Sequence, residues 1–177
     1  MTITTKTVEP GIVSVTVDYP PVNAIPSAGW FELADTITAA GRDPNTHAVI
    51  LRAEGRGFNA GVDIKEMQNT EGFGALIDAN RGCYQAFRAV YECAVPVIAA
   101  VNGVAAGAGA SVALACDLVV ASKSASFLQA FSKIGLVPDT GGTWFLPQRV
   151  GMARAMGLAL LADKLPAEKA AEWGLIW

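Results

Sequence analysis

The run Gly57-Phe58-Asn59-Ala60-Gly61-Val62-Asp63-Ile64-Lys65 decides how this chain is read. Small residues stand where an apolar strand, Ala48-Val49-Ile50-Leu51, gives way to a short helix opening at Asp63. A second run, Asn102-Gly103-Val104-Ala105-Ala106-Gly107-Ala108-Gly109-Ala110-Ser111, repeats the arrangement after the strand Val95 to Val101. The first amides of a helix have no acceptor inside it. Small residues let a ligand come close to such a backbone. Two such amides aimed at one point, with Val62 and Ala108 as the donors, would hold a developing oxyanion. That is chemistry on a polarised carbonyl, and a thioester is the natural candidate.

Elements on either side of these runs alternate between strand and helix. Gly11 to Tyr19 alternates Ile12, Val13, Val15 and Val17 with small polar residues and predicts a strand. Pro20-Pro21-Val22-Asn23-Ala24 reads as a stiff extended loop. Ser27 is placed to cap a helix running to about Ala40, with Trp30, Leu33, Ile37 and Ala40 on one face and Gly41 ending it. A longer helix is expected from Phe73 to Glu92, with Leu76, Ala79, Cys83, Phe87 and Val90 as its inner face. Ala108 to Ala115 reads as a buried helix, and Leu118 to Ala121, like Ala48 to Leu51, as a strand covered on both faces. Phe127 to Lys133 is ambiguous; helices follow from Thr143, over Gly151 to Leu161, and over Pro166 to Trp173. The alternation predicts an α/β fold of parallel βαβ units, in one domain spanning residues 1–177.

Composition agrees with a packed domain. Of 177 residues, 52% are hydrophobic and 16% charged, too apolar for a disordered chain. The net charge of −3, with Lys and Arg scattered, gives no reason to expect a nucleic-acid partner. The segment from Cys93 to Cys116 carries no charge, but Pro96, Asn102, Gly103, Gly107 and Gly109 divide it into pieces too short to span a bilayer. No leader pattern is visible in Met1-Thr2-Ile3-Thr4-Thr5. Cys83, Cys93 and Cys116 are read as buried free thiols of a reducing, cytoplasmic compartment. His47, the one histidine, cannot build a metal site alone and is expected at a surface or strand edge.

Asp139, in Val137-Pro138-Asp139-Thr140-Gly141-Gly142-Thr143, is the candidate acid–base group. Leu136 and Trp144 flank the segment, and a poorly solvated carboxylate there would have a raised pKa suited to proton transfer. The competing reading makes Asp139 the cap of a turn or of the helix that follows. Asp63 is best read as a helix cap and Asp117 as structural. Ser111 has only His47 as a conceivable base, which argues against a serine triad.

With Gly61 through Met67, Asn102-Gly103 through Asp117 and Gly135 through Thr143, the chain resembles the enoyl-CoA hydratase/isomerase (crotonase) superfamily over essentially its whole length. The resemblance implies a crotonase-like ββα superhelix: a spiral of parallel-strand βαβ units with flanking helices, here lacking the usual C-terminal helical region. It implies an acyl-CoA thioester as partner, with no metal and no cofactor beyond the coenzyme A of the substrate. Val62 and Ala108 would be the thioester oxygen donors and Asp139 the catalytic aspartate. Val22, Asn23, Ala24, Ala60, Val62, Asp63, Ile64, Lys65, Ala108 and Phe131 would line the CoA and acyl path. The two water-activating glutamates of the hydratases would fall at Ser111 and Phe131 and are missing. Up to about Asn102 the chain is similar to ring-opening acyl-CoA hydrolases of steroid catabolism. From Gly103 it is similar to ring-epoxide enoyl-CoA isomerases of the phenylacetyl-CoA pathway, notably in Gln129 to Leu136.

These similarities imply an isomerase, with a ring-opening hydrolase, a hydratase or a non-catalytic CoA-binding subunit as alternatives. Phe127, Phe131, Leu136 and Trp144 would exclude water around an aromatic or cyclic acyl group. The family's missing region would also build homotrimers, or dimers of trimers. Leu175, Ile176 and Trp177 are expected to need cover, from a further region or a partner subunit rather than from this domain.

Overall fold

The computed structural model describes residues 1–177, the side chain of Ala79 excepted, so that member of the expected inner face of the long helix lies outside the described residues. The chain begins with a hairpin, β1 (Thr2–Glu9) and β2 (Ile12–Asp18), which are antiparallel. After a turn closed by Asn23 N–H donating to Tyr19 O (2.8 Å) come β3 (Ala24–Ile25) and helix α1 (Ser27–Arg42). Next are β4 (Ala48–Ala53), β5 (Gly57–Asn59), β6 (Gly61–Val62) and the short helix α2 (Ile64–Asn69). Helix α3 (Phe73–Tyr91), β7 (Val97–Val101), β8 (Val104–Ala106), α4 (Ala108–Ala115) and β9 (Leu118–Ala121) follow. Then come β10 (Ser126–Leu128), a 3-10 turn (Ala130–Ile134), α5 (Gly142–Val150), α6 (Met152–Leu161), β11 (Leu165–Pro166) and α7 (Ala167–Glu172).

The main sheet has the order β1-β2-β4-β7-β9, parallel throughout except for β1. A second sheet, β11-β10-β8-β5, pairs β5, β8 and β10 in parallel, and β3 runs parallel to β6. This is the parallel βαβ architecture the alternation predicts. β5, β6, β8 and β11 are too short to carry a periodic signal.

The expectation of strands covered on both faces needs correction. In β4, Val49, Leu51 and Ala53 are buried, Ile50 is half-buried and Arg52 exposed. In β9 only Val119 is buried, while Leu118 and Val120 are 37% and 39% exposed. The sheet buries one set of alternating side chains and leaves the other partly open, as the period-2 pleat allows. α1 and α3 pack against each other, with Trp30, Leu33 and Ile37 fully buried.

The start of α1 also differs from the sequence reading. Pro26 occupies the cap position and Ser27 is the first helical residue. The Ser27 N–H is satisfied from another helix: Glu66 Oε2, on α2, accepts it at 2.7 Å. A carboxylate there answers both the free amide and the positive end of the helix dipole. Gly41 does not end α1 but lies inside its last turn, packed so tightly on Cys93 that a Cβ would stand 2.6 Å from Sγ.

The charge-free segment resolves into β7, β8 and α4, and every residue of α4 is buried. Among the described residues, no helix is long and apolar enough to cross a membrane. Cys83 and Cys116 are buried free thiols, whereas Cys93 is only half-buried. At the end of the chain Leu175 and Ile176 are buried within this domain, contrary to the expectation that both need outside cover; Trp177 is 84% exposed.

Candidate active site

β6 and the N-terminus of α4 meet at Gly61. Its φ of +91° is open to glycine, and a Cβ there would lie 3.2 Å from Ala106 O and 3.4 Å from Ala108 N. Asn59 Oδ1 accepts the Gly61 N–H at 2.7 Å, and Ile25 O accepts the Asp63 N–H at 3.0 Å. Amides alternate along a strand, so the Val62 N–H between them faces away from β3. On α4, Gly107 N–H donates to Leu128 O (2.9 Å), and the first intrahelical bond is Ser111 N–H to Gly107 O (3.1 Å). The Ala108 N–H therefore belongs to the open first turn of the helix.

Asp63 caps α2: its Oδ1 accepts from Lys65 N–H (2.9 Å) and Glu66 N–H (3.3 Å). Ile64 and Lys65 project into solvent. Val22, Asn23 and Ala24 run beside this corner through the β3–β6 pairing, and Asn23 O accepts the Ala60 N–H at 3.2 Å. Asn23 itself is a buried brace. Its Oδ1 accepts from Tyr19 N–H (2.6 Å), and both its amide hydrogens are spent on Glu54 O (2.8 Å) and Gly57 O (2.9 Å). What Asn23 gives a ligand is therefore shape rather than a free donor. Phe131 is buried on the 3-10 turn, with its ring edge 3.8 Å from where a Cβ on Gly107 would stand.

One helical turn beyond Ala108, Ser111 Oγ donates to the backbone carbonyl of Asp139 at 3.4 Å. The same carbonyl accepts from Gly142 N–H at 2.8 Å, closing the turn before α5. α5 is capped by the Gly141 backbone, so the Asp139 carboxylate does not serve that helix. It is half-buried instead, with Thr140 Oγ1 donating to Oδ1 at 2.7 Å. Burial raises the Asp139 pKa above the ordinary carboxylate range, and the Thr140 bond opposes this more weakly. Its charge in turn pushes up Cys83 and Tyr84 on α3, for which burial is the larger cause. The loop is anchored where Gly141 meets Phe87 and Phe145, part of an aromatic cluster with Tyr91 (centroids 5.8–6.2 Å apart).

The structure thus brings Gly61, Ala108 and Phe131 together with Ser111 and Asp139 along α4. It does not draw in two of the expected water-excluding residues: Leu136 is 47% and Trp144 60% exposed, while Phe127 and Phe131 are buried. His47 is exposed at the start of β4, its ring against Gly11, and no hydrogen bond joins it to Ser111 among the described residues. Asp117 is structural, its Oδ2 accepting the Val97 N–H at 2.8 Å.

Two residues near the Asp139 loop have no role in the sequence reading: Tyr84, off the i, i+4 face of α3, and Gln129, noted there only as part of the resemblance. Gln129 is 3% exposed, its Oε1 has no partner among the described residues, and that atom would stand 3.5 Å from a Cβ on Gly142.

Fold and site together define an α/β chain in which β6 meets the N-terminus of α4 at Gly61, with one poorly solvated carboxylate nearby along α4. The family model "Enoyl-CoA hydratase/isomerase" matches residues 7–177, and the chain belongs to that family. It is 72% identical over 127 residues to the (7aS)-7a-methyl-1,5-dioxo-2,3,5,6,7,7a-hexahydro-1H-indene-carboxyl-CoA hydrolase of Mycobacterium tuberculosis, covering 72% of this chain and 51% of the relative. It is 44% identical over 175 residues to the 1,2-epoxyphenylacetyl-CoA isomerase of Escherichia coli, covering 96% of this chain and 66% of the relative. The crystal structure of an enoyl-CoA hydratase from Bacillus anthracis superposes with a TM-score of 0.94 at 31% identity, over 99% of this chain and 69% of that one. The chain therefore spans about half the length of the hydrolase relative and about two thirds of the others.

Proposed function

We propose that this chain carries acid–base chemistry on an acyl-CoA thioester through an enolate, with double-bond isomerisation as the outcome. The N–H groups of Val62 and Ala108 receive the thioester oxygen as it gains negative charge. Asp139, as carboxylate, takes a proton from one carbon of the acyl chain and returns it to another, so no atom is gained or lost. Val22, Asn23, Ala24, Ala60 and the Asp63-Ile64-Lys65 turn border the CoA path, and Phe131 borders the acyl group. The observation that carries this reading is geometric: Ser111, one turn of α4 from Ala108, bonds the backbone carbonyl of Asp139 and so ties the half-buried Asp139, whose pKa burial raises, to the helix that supplies one donor. Ser111 and Phe131 stand where the family resemblance puts the hydratase carboxylates, which argues against water addition.

The 72% identity to a ring-opening CoA hydrolase favours a second reading, in which the same enolate forms as a ring carbon–carbon bond is cleaved with uptake of water. One experiment separates the two. Enoyl-, dienoyl- and cyclic acyl-CoA thioesters are incubated in deuterated and in oxygen-18 water and followed by mass spectrometry. Isomerisation incorporates deuterium at carbon without oxygen-18; ring opening incorporates oxygen-18 into a new carboxylate. Undiminished carbon-bound deuterium exchange in Asp139→Asn refutes the role of Asp139, and thioester binding without turnover of any substrate refutes both readings in favour of a non-catalytic CoA-binding chain.

A further inference from the structure

Between α1, α2 and α3 lies a small cavity of about 10 Å³, with Trp30, Ser27, Glu66, Asn80 and Val62 among its walls. That is room for a single water molecule. Trp30 is fully buried, and its indole Nε1–H has no acceptor among the described residues. An orphaned buried donor is rare in a folded chain, and an ordered water is its usual remedy. The other polar walls are acceptors with capacity left. Glu66 takes the Ser27 N–H on Oε2 (2.7 Å), and Asn80 spends Nδ2 on Leu76 O (2.9 Å). The walls combine an unpartnered N–H donor with carboxylate and amide acceptors, a set that suits a neutral group able both to accept and to donate.

We infer that this cavity is a hydration site: one water accepts from Trp30 Nε1–H and donates to the Glu66 carboxylate and to Asn80 Oδ1, joining α1, α2 and α3 behind Val62. Three hydrogen bonds are the normal complement of a buried water. α2 begins two residues after Val62, and Val62 is itself a wall of the cavity. The water therefore holds the β6–α2 corner at a fixed height, which makes Trp30 a positioning residue for the Val62 amide. This last step rests on the role proposed for Val62; the hydration site does not.

A crystal structure resolving ordered water tests the site directly. The expected result is a peak within about 2.7–3.2 Å of Trp30 Nε1 and of an oxygen of Glu66 or Asn80. In solution, the Trp30 indole proton should show a nuclear Overhauser cross-peak to water in the unmutated chain, so no variant has to fold for the result to count. Trp30→Phe keeps an aromatic side chain but removes the indole N–H donor. It should lose the peak, shift the Val62 amide resonance, and weaken acetyl-CoA binding about tenfold with circular dichroism unchanged. An empty cavity with no water cross-peak overturns the inference. A Val62 resonance unmoved in Trp30→Phe overturns the positioning role. A bound water and a shifted Val62 resonance with unchanged acetyl-CoA affinity leave the hydration site standing and refute the thioester role of Val62.

Discussion

Gly61→Ala tests whether the contact between β6 and the N-terminus of α4 governs function. Two costs are built into this substitution. Alanine must adopt a φ of +91°, and its Cβ must fit 3.2 Å from Ala106 O and 3.4 Å from Ala108 N. Backbone strain of this kind costs about 1–3 kcal/mol. The contacts are tight by a few tenths of an ångström, so β6 and the start of α4 must move apart. Gly55→Ala is the control, because Gly55 has a φ of +75° but no atom within 4 Å of a built Cβ. It carries the strain without the contact. Both variants should lose stability, at about 2–4 °C of melting temperature per kcal/mol for a chain of this size. Only Gly61→Ala should lose thioester turnover, by about 10²-fold, comparable with removing one oxyanion donor. Thermal melts by circular dichroism and kcat/KM on the best substrate of the thioester panel provide the measurements. Equal kcat/KM in the two variants would refute the claim that separation at this contact sets the donor geometry.

Three further outcomes follow from packing and charge. Because burial raises its pKa, folded Asp139 holds its proton more tightly than the unfolded chain does, and the ionised form costs stability at neutral pH. That cost is relieved as pH falls through the raised folded pKa, so Asp139→Asn should melt at or above the parent at pH 7. The gap should close in acid; calorimetry showing a gap that widens in acid would refute the assignment. Arg149, partly buried, donates to Leu114 O (2.8 Å), Cys116 O (3.2 Å) and Leu175 O (3.3 Å), joining the end of α4 to the end of the chain. Arg149→Met should cost about 3 kcal/mol by stranding these carbonyls, read by urea denaturation; a loss below about 0.5 kcal/mol would refute it. In Gly109→Ala the new Cβ would overlap the backbone oxygen of Asn59, and the loss should reach about 3 kcal/mol or more; a stability within about 0.5 kcal/mol of the parent would show that the interface yields freely.

Local chemistry was legible in the sequence wherever one segment decided it. α4 has the bounds Ala108–Ala115 and β9 the bounds Leu118–Ala121 that the pattern predicts, and Asp63 caps α2. Interactions that close over long separations were not legible. Glu66 caps α1 from 39 residues away, and Arg149 satisfies carbonyls 26 to 35 residues distant. Strand coverage was misjudged for a related reason. Leu118-Val119-Val120 reads the same whether one face or both are covered, and only the placement of helices decides that Leu118 and Val120 stay exposed.

The small residues of the two opening runs serve two purposes that composition cannot separate. Gly103 and Gly109 are there for packing: a Cβ on either would overlap a backbone oxygen, of Arg56 and Asn59 respectively. At those positions the reading of small residues as a device for close helix–strand contact is sufficient. Gly61 is different, because the atoms it spares are Ala106 O and Ala108 N, at the open end of a helix rather than along its flank. The two purposes depend on each other. Gly109 lets α4 lie on Asn59, Asn59 Oδ1 holds the Gly61 N–H, and this bond orients the strand from which the Val62 N–H emerges. The packing glycines thus bring the helix end within reach of β6, and Gly61 keeps the resulting gap free of a side chain. A bulky residue at Gly61 or Gly109 would push α4 away from β6 or from Asn59, so short side chains on both sides of this one contact are what let strand and helix end meet.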